Sequence, residues 1–376
     1  MNHPVFLFGT LRHHPLRAAV LGAEAPFEDS RLPGHTVLEQ NGYPVLTARD
    51  GAVATGLLLR LDAPELARLD LYESLFGYTR QALADGQGGH VWVYLPEHAQ
   101  ISPDAAPWVL SDWVARMGEA ATLASAEIML LARSHDRDAL AVRYPMLLAH
   151  ACARLRARAE PTPNSLRRAA GPKDVETVTT AHPYAYFFGV QSNDLRFRRF
   201  DGTLSPVVRR AGFLISDAVT LLPYDPARDC VLLVEQFRYG LYLRDAANCW
   251  SLEAIAGRID PGEAPPEAAL REAQEEAGVT LCAEALNFVG QAYPSPGSIS
   301  ECLYQYVGLC ALPEDDRAIG GLAAEHEDIR RHIISFDRMM QLVASGEIQN
   351  GPLLTSAYWL ALHRAQLRAD YSVPDL

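Results

Sequence analysis

The chain has 376 residues, and its six cysteines, Cys152, Cys230, Cys249, Cys282, Cys302 and Cys310, form no C-x2-C pair. None of them clusters with the twelve histidines at a metal-binding spacing. A disulfide framework and a structural zinc are therefore not expected, and reduced thiols are. Cations are also scarce: 33 Lys and Arg face 46 Asp and Glu, a net charge of −13. With no surplus of positive charge to neutralise a phosphate backbone, a general nucleic-acid partner is not expected. No apolar run approaches the ~18 residues that a membrane helix needs. The N-terminus lacks a basic segment followed by a long apolar one. The expectation is a cytoplasmic protein with no membrane partner.

The length exceeds what one ordinary core serves, so two or three domains are expected. Residues 1–100 read as a β-rich domain: Val5 to Phe8, Ala54 to Leu61 and His90 to Leu95 as strands, with a helix over Ala63 to Tyr72 whose Leu66, Leu69 and Tyr72 share a side. Residues 101–180 turn rich in Ala, Leu and Arg, with apolar spacing that suits two or three amphipathic helices. They read as a helical connector. Residues 181–376 return to strands. They open on a hairpin over Tyr184 to Phe200 with Asn193-Asp194 as its turn, and Asp217 to Pro223 and Cys230 to Phe237 are stronger strands. Helices are expected over Asp337 to Ser345 and Leu353 to Ala369.

The most specific stretch is Gly257 to Val279, GRIDPGEAPPEAALREAQEEAGV, with the spacing G-x5-E-x7-R-E-x2-E-E-x-G. With each residue type at about 7% of an average sequence, a chance match has odds of roughly one in a few hundred thousand. Pro261-Gly262 and Pro265-Pro266 keep the first part non-helical, Glu267 to Ala277 favours a helix, and Gly278 stops it. Glu272, Glu275 and Glu276 then share one helix face. Like charges at that spacing call for a cation, and hard carboxylate oxygens suit Mg²⁺ or Mn²⁺. The stretch resembles the signature of the Nudix hydrolases, which cleave nucleoside diphosphates linked to another moiety. It departs at Ala273, where that family often carries a larger aliphatic residue.

Two shorter motifs lie near the start. Phe8-Gly9-Thr10-Leu11-Arg12 places a glycine turn after a strand, where backbone N–H groups can meet a carboxylate. Leu69-Asp70-Leu71-Tyr72-Glu73 ends a helix with an acid among apolar neighbours, which can raise its pKa towards neutrality. In this order, followed by Gly77-Tyr78-x-Arg80 and Val91-Trp92-Val93-Tyr94, they resemble the γ-glutamylcyclotransferase-like fold. That resemblance implies Glu73 as the general acid/base, forming 5-oxoproline, with Gly9, Thr10 and Leu11 as substrate contacts. Phe8 departs from the usual tyrosine.

Three stretches flank the glutamate-rich signature. Glu235-Gln236-Phe237-Arg238 puts an arginine just past a strand, placed to grip phosphate. Tyr293 to Glu301, YPSPGSISE, is a stiff loop with a glycine for close approach and a terminal acid for sugar hydroxyls. Glu325-His326-Glu327-Asp328 puts carboxylates after Gly320-Gly321. Their order resembles the ADP-ribose pyrophosphatase branch over most of residues 184–365. By that resemblance the carbonyl of Ala256 with Glu272, Glu276 and Glu327 holds divalent cations. Arg238, Ser295, Gly297 and Glu301 contact substrate, and the base lies among Glu275, Glu325 and Glu327. The implied reaction hydrolyses ADP-ribose to AMP and ribose 5-phosphate; the alternatives are another nucleotide sugar or a dinucleoside polyphosphate as substrate, or a metabolite-sensing protein with a non-catalytic N-terminal module. A homodimer is implied as well. The fused order is similar to that of proteins associated with tellurite resistance. The expected fold class is α+β and multidomain, ending in a Nudix α/β/α sandwich.

Overall fold

The computed structural model describes residues 2–96, 102, 104–186, 188–314, 319–321 and 328–371. The chain forms two compact units, Met1–Phe213 and Leu214–Leu376.

The first unit opens with β1 (His3–Leu7), α1 (His14–Leu21), β2 (Phe27–Gln40), β3 (Tyr43–Leu61), α2 (Ala63–Ser74), β4 (Tyr78–Ala84) and β5 (His90–Pro96). Its sheet runs in the order β2-β3-β1-β5-β4, with β1 parallel to β5 and antiparallel to β3. The β2–β3 hairpin turns on Asn41-Gly42, both at positive φ, a combination these two residue types tolerate best. A reciprocal cap starts α2: the Glu65 N–H donates to Asp62 at 2.9 Å, and the Asp62 N–H donates to Glu65 at 2.9 Å. The expected apolar side, Leu66, Leu69 and Tyr72, is buried.

Beyond this sheet come α3 (Leu110–Trp113), α4 (Glu119–Leu131) and α5 (Arg137–Ala159). Their Trp113, Ile128, Leu140, Tyr144 and Leu147 share one core with Val5, Leu59, Leu69 and Tyr72. The segment expected as a connector over 101–180 therefore packs within the first unit, where its helices join α1 and α2 in covering the apolar face of the sheet. The unit continues through a three-stranded sheet, β6 (Val175–Ala185), β7 (Gly189–Phe197) and β8 (Val208–Leu214). The hairpin expected at Asn193-Asp194 turns earlier, between Ala185 and Gly189. Asn193 and Asp194 lie inside β7, where their side chains bond across the strands to Thr180 and Thr179.

The second unit contains β9 (Ala218–Asp225), β10 (Cys230–Phe237), α6 (Tyr239–Leu243), β11 (Trp250–Glu253), β12 (Ile255–Arg258), α7 (Pro265–Ala277), β13 (Leu286–Ala292), β14 (Leu303–Leu309), β15 (Ile319–Gly320), β16 (Ile329–Ser335), α8 (Phe336–Ser345) and α9 (Gly351–Asp370). Alternation sorts the central strands: Val219, Leu221, Leu232 and Val234 face α7, whereas Leu222, Tyr224, Val231 and Leu233 face α8 and α9. With both faces covered, β9 reads as a continuous buried run, and the architecture is the expected helix–sheet–helix sandwich.

Strands β9 and β10 pair only near their shared turn, Asp225 with Cys230 and Tyr224 with Val231. Away from it they part. The opening is filled by β12 against β9 and β11 against β10, with Ala254 at the corner between them. This wedge delivers Ala256 and Gly257 to the middle of the sheet beside α7.

Candidate functional site

The loop before α7 is shaped by its own polar groups. Glu263 accepts from the Asp260 N–H at 3.0 Å, and Glu267 accepts from the Ala264 N–H at 2.9 Å. At the far end Gly278 takes a left-handed conformation, the Val279 N–H reaches the Ala273 carbonyl, and Arg331 donates to the Ala277 carbonyl. Ala268, Ala269, Ala273 and Ala277 form the buried underside of the helix. Their small side chains let α7 approach the sheet closely, which accounts for Ala273 at the position where the Nudix signature often has a larger residue.

The adjoining side gathers the acids, with Glu276 at its buried edge. Arg271 donates to both oxygens of Glu263 at 3.0 Å, to Glu272 at 2.7 Å, to Glu275 at 2.9 Å and to the Arg258 carbonyl at 2.9 Å. Its guanidinium is held above the usual arginine range, first by its hydrogen bond to Glu263. Glu276 is buried and accepts from the Ala256 N–H at 3.2 Å. Glu272 lies so close to Gly257 that any side chain there would overlap its carboxylate. The structure thus brings Ala256, Glu272, Glu275 and Glu276 together. Three carboxylates, Glu263, Glu272 and Glu275, share one guanidinium, and a fourth, Glu276, meets the Ala256 N–H beside them.

That donor set fits a hard divalent cation in chemistry. Among the described residues no three His, Cys, Asp or Glu side chains are already closed around one point. Instead, Glu272 is turned to Arg271 and Glu276 to the Ala256 N–H. Glu325 and Glu327, expected as base and metal ligand, lie outside the described residues.

The flanking residues fall into two groups. Burial raises the Glu301 carboxyl above its ordinary range; Arg258 opposes that shift and Asp217 adds to it. Glu301 is thereby placed at the start of the signature loop. Ser295 bonds Ser298 at 2.9 Å within its own turn, and Gly297 has open space where a side chain would point. Arg238 turns the Nε edge of its fork to Glu253, at 3.0 and 2.6 Å. Glu253 was not legible as a site residue. Its one signal is a carboxylate at the end of a short strand, opposite Val234.

In the first unit Glu73 ends α2, and burial pushes its carboxyl up to about 8. Its charge is felt by Tyr72, Tyr78, Tyr94 and Tyr144. Asp70, one turn earlier, accepts from the Tyr94 hydroxyl at 2.7 Å and pairs with Arg80 at 3.6 Å. Gly9 packs so that an added Cβ would meet Pro44 at 2.7 Å, and Thr10–Arg12 form a tight helical turn. Leu11 is buried, and its carbonyl accepts from Arg17 at 3.0 Å. Phe8 belongs to a separate core cluster with Phe6, Leu32, Val91 and Val93, away from the cluster that holds Tyr72.

Comparison with known families matches a NUDIX domain over residues 215–355 and a gamma-glutamyl cyclotransferase, AIG2-like domain over 5–115. The chain is 37% identical over 212 residues to an ADP-ribose pyrophosphatase of Escherichia coli K12, covering 56% of this chain and 99% of that protein. It is 33% identical over 201 residues to an ADP-ribose pyrophosphatase of Haemophilus influenzae, covering 53% of this chain and 91% of that protein. A GDP-mannose pyrophosphatase of Yersinia pestis is 29% identical over 147 residues, 39% of this chain and 72% of its own. With the glutamate helix, its glycine and its arginine clamp in place, the chain belongs to the Nudix family, alongside its ADP-ribose pyrophosphatases, and carries an AIG2-like cyclotransferase domain at its N-terminal end.

Proposed function

We propose that the second unit hydrolyses the pyrophosphate of ADP-ribose, giving AMP and ribose 5-phosphate. The observation that carries this reading is the gathering of Glu272, Glu275 and Glu276 beside Ala256 and Gly257, together with the identity to ADP-ribose pyrophosphatases over nearly their whole length. Mg²⁺ or Mn²⁺, held by Glu272, Glu276 and the Ala256 carbonyl, would supply charge neutralisation at the diphosphate and acidify water. Glu327 completes that set in this reading.

The chain's own residues divide the remaining work. Arg271 holds Glu272 and Glu275 in register with each other. A glutamate, Glu275 or Glu325, takes the proton of the attacking water as its oxygen bonds to one phosphorus and the bridging P–O bond breaks. Glu301 and the turn carrying Ser295 and Gly297 bound the ribose side, and Arg238, held in place by Glu253, contacts phosphate. The reading includes a cytoplasmic homodimer with no nucleic-acid or membrane partner. A second substrate, another nucleotide sugar, is favoured only by the relative that acts on GDP-mannose.

The first unit carries the companion reading, a γ-glutamylcyclotransferase in which Glu73 exchanges the proton of the substrate amine. AMP release from ADP-ribose with Mg²⁺, compared between wild type and Glu276→Gln, tests the main proposal. Equal rates in the two proteins would sink the metal assignment. Faster turnover of GDP-mannose than of ADP-ribose would move the substrate.

A further inference from the structure

The cyclotransferase match ends at residue 115, yet the surroundings of Glu73 do not. Ser125 of α4, fully buried, donates to the Tyr72 hydroxyl at 3.1 Å. Tyr144 of α5 places its hydroxyl 3.3 Å from that of Tyr72, and its ring stands edge-on to Phe76 with centroids 4.8 Å apart. Arg137, at the first turn of α5, donates at 2.7 and 3.2 Å to the carbonyl of Ser74, the residue after Glu73. Three side chains from the helical segment therefore fix the end of α2 that bears the acid.

We propose that α4 and α5 are the closing wall of the Glu73 site and that Tyr144 is a specificity-determining residue there, limiting the bulk and charge of the ligand group that reaches the acid. This rests on Glu73 being the working group of the N-terminal domain. The groups around it come from each packed element: Tyr72 of α2, Tyr78 of β4, Tyr94 of β5 and Tyr144 of α5 feel its charge, Asp70 bonds Tyr94 and pairs with Arg80, and Ser125 of α4 bonds Tyr72. They are hydroxyls and rings, with one ion pair. The flanking cations are engaged, Arg80 with Asp70 and over Trp92, and Arg137 with Ser74 and Asp138. Neither of these two cations is left to greet a carboxylate or phosphate. A compact amine or neutral group does fit, since ring faces favour a cation and a buried carboxyl can exchange its proton with an amine.

The test uses the full chain and needs no turnover. Carbon-13 NMR of labelled glutamate, assigned with Glu73→Gln, follows the titration of Glu73. Carbodiimide coupling to glycine methyl ester, read by mass spectrometry, follows its accessibility. Wild type is expected to titrate near 8 and, with Glu73 half-buried, to couple less than the opened variant. Tyr144→Ala is expected to lower the midpoint by roughly one unit or more and to admit the reagent, because water reaches the carboxyl. Tyr144→Phe, which keeps the ring, is expected to stay protected. If Tyr144→Ala does not fold, Tyr144→Leu keeps an apolar filler and serves in its place. A midpoint and a coupling yield unchanged in the opened variant, with only the melting temperature lowered, would overturn the proposal. So would an ordinary midpoint in wild type. Failure to release 5-oxoproline would instead remove the cyclotransferase reading and leave the wall intact.

Discussion

The carboxylate of Glu272 lies where a side chain on Gly257 would begin. Strand β12 and helix α7 meet at that point with the acid between them, so the glycine and the glutamate form one device.

Gly257→Ala is therefore expected to swing Glu272 out of the cluster and leave the fold standing. A displacement of about 1 Å at a catalytic group costs on the order of 10²-fold in rate. AMP release should fall on that scale while circular dichroism stays native. Wild-type rates in the variant would show that Glu272 moves aside at no cost to function.

Arg271 presents a different kind of dependence. Replacing it with Gln leaves Glu263, Glu272 and Glu275 repelling one another without their shared cation. With the guanidinium partly exposed, a loss of about 1–3 kcal/mol is expected. Because a divalent cation would take over part of that role, Mg²⁺ should raise the melting temperature of the variant more than that of wild type, and EDTA should abolish the difference. Equal metal responses would argue against a cation in this cluster.

How much of this was readable in advance divides along physical lines. The helix of α7, its stop at Gly278 and the shared face of its glutamates follow from local spacing, as do Leu66, Leu69 and Tyr72. The partners did not follow. Glu253 meets Arg238 only because β11 folds back on β10, and Asn193-Asp194 lost its turn to side-chain bonds across the sheet. Long-range pairing decides both, and neither leaves a periodic mark in the sequence.

The Arg238–Glu253 pair can be separated from substrate binding by a double-mutant cycle. Arg238→Met strands a buried carboxylate and is expected to cost about 1–3 kcal/mol, a figure discounted for the partial exposure of the guanidinium. Glu253→Gln should cost less, and the double variant less than the two singles together. Additive losses in urea unfolding would mean the pair contributes nothing to stability. A raised KM in Glu253→Gln would show that the pair also steadies the arginine for substrate.

Glu73 gives a pH dependence with a definite sign. Its folded pKa, about 8, stands above the ordinary glutamate value, so the folded state holds the proton longer than the unfolded one. The cost of carrying this residue is absent at pH 4, grows as pH rises towards 8, and is constant above that. Glu73→Gln should accordingly gain in melting temperature over wild type across that window. A difference independent of pH would show that the carboxyl is not enclosed.

The core shared by the N-terminal sheet and helices α4 and α5 sets the terms on which this protein can be dissected. A fragment ending at residue 115, where the family match stops, would bare the apolar flank formed by Val5, Leu59 and Leu69 and tend to clump. A cut placed after Ala159 would carry its own cover and offers a better starting point for handling the N-terminal half alone.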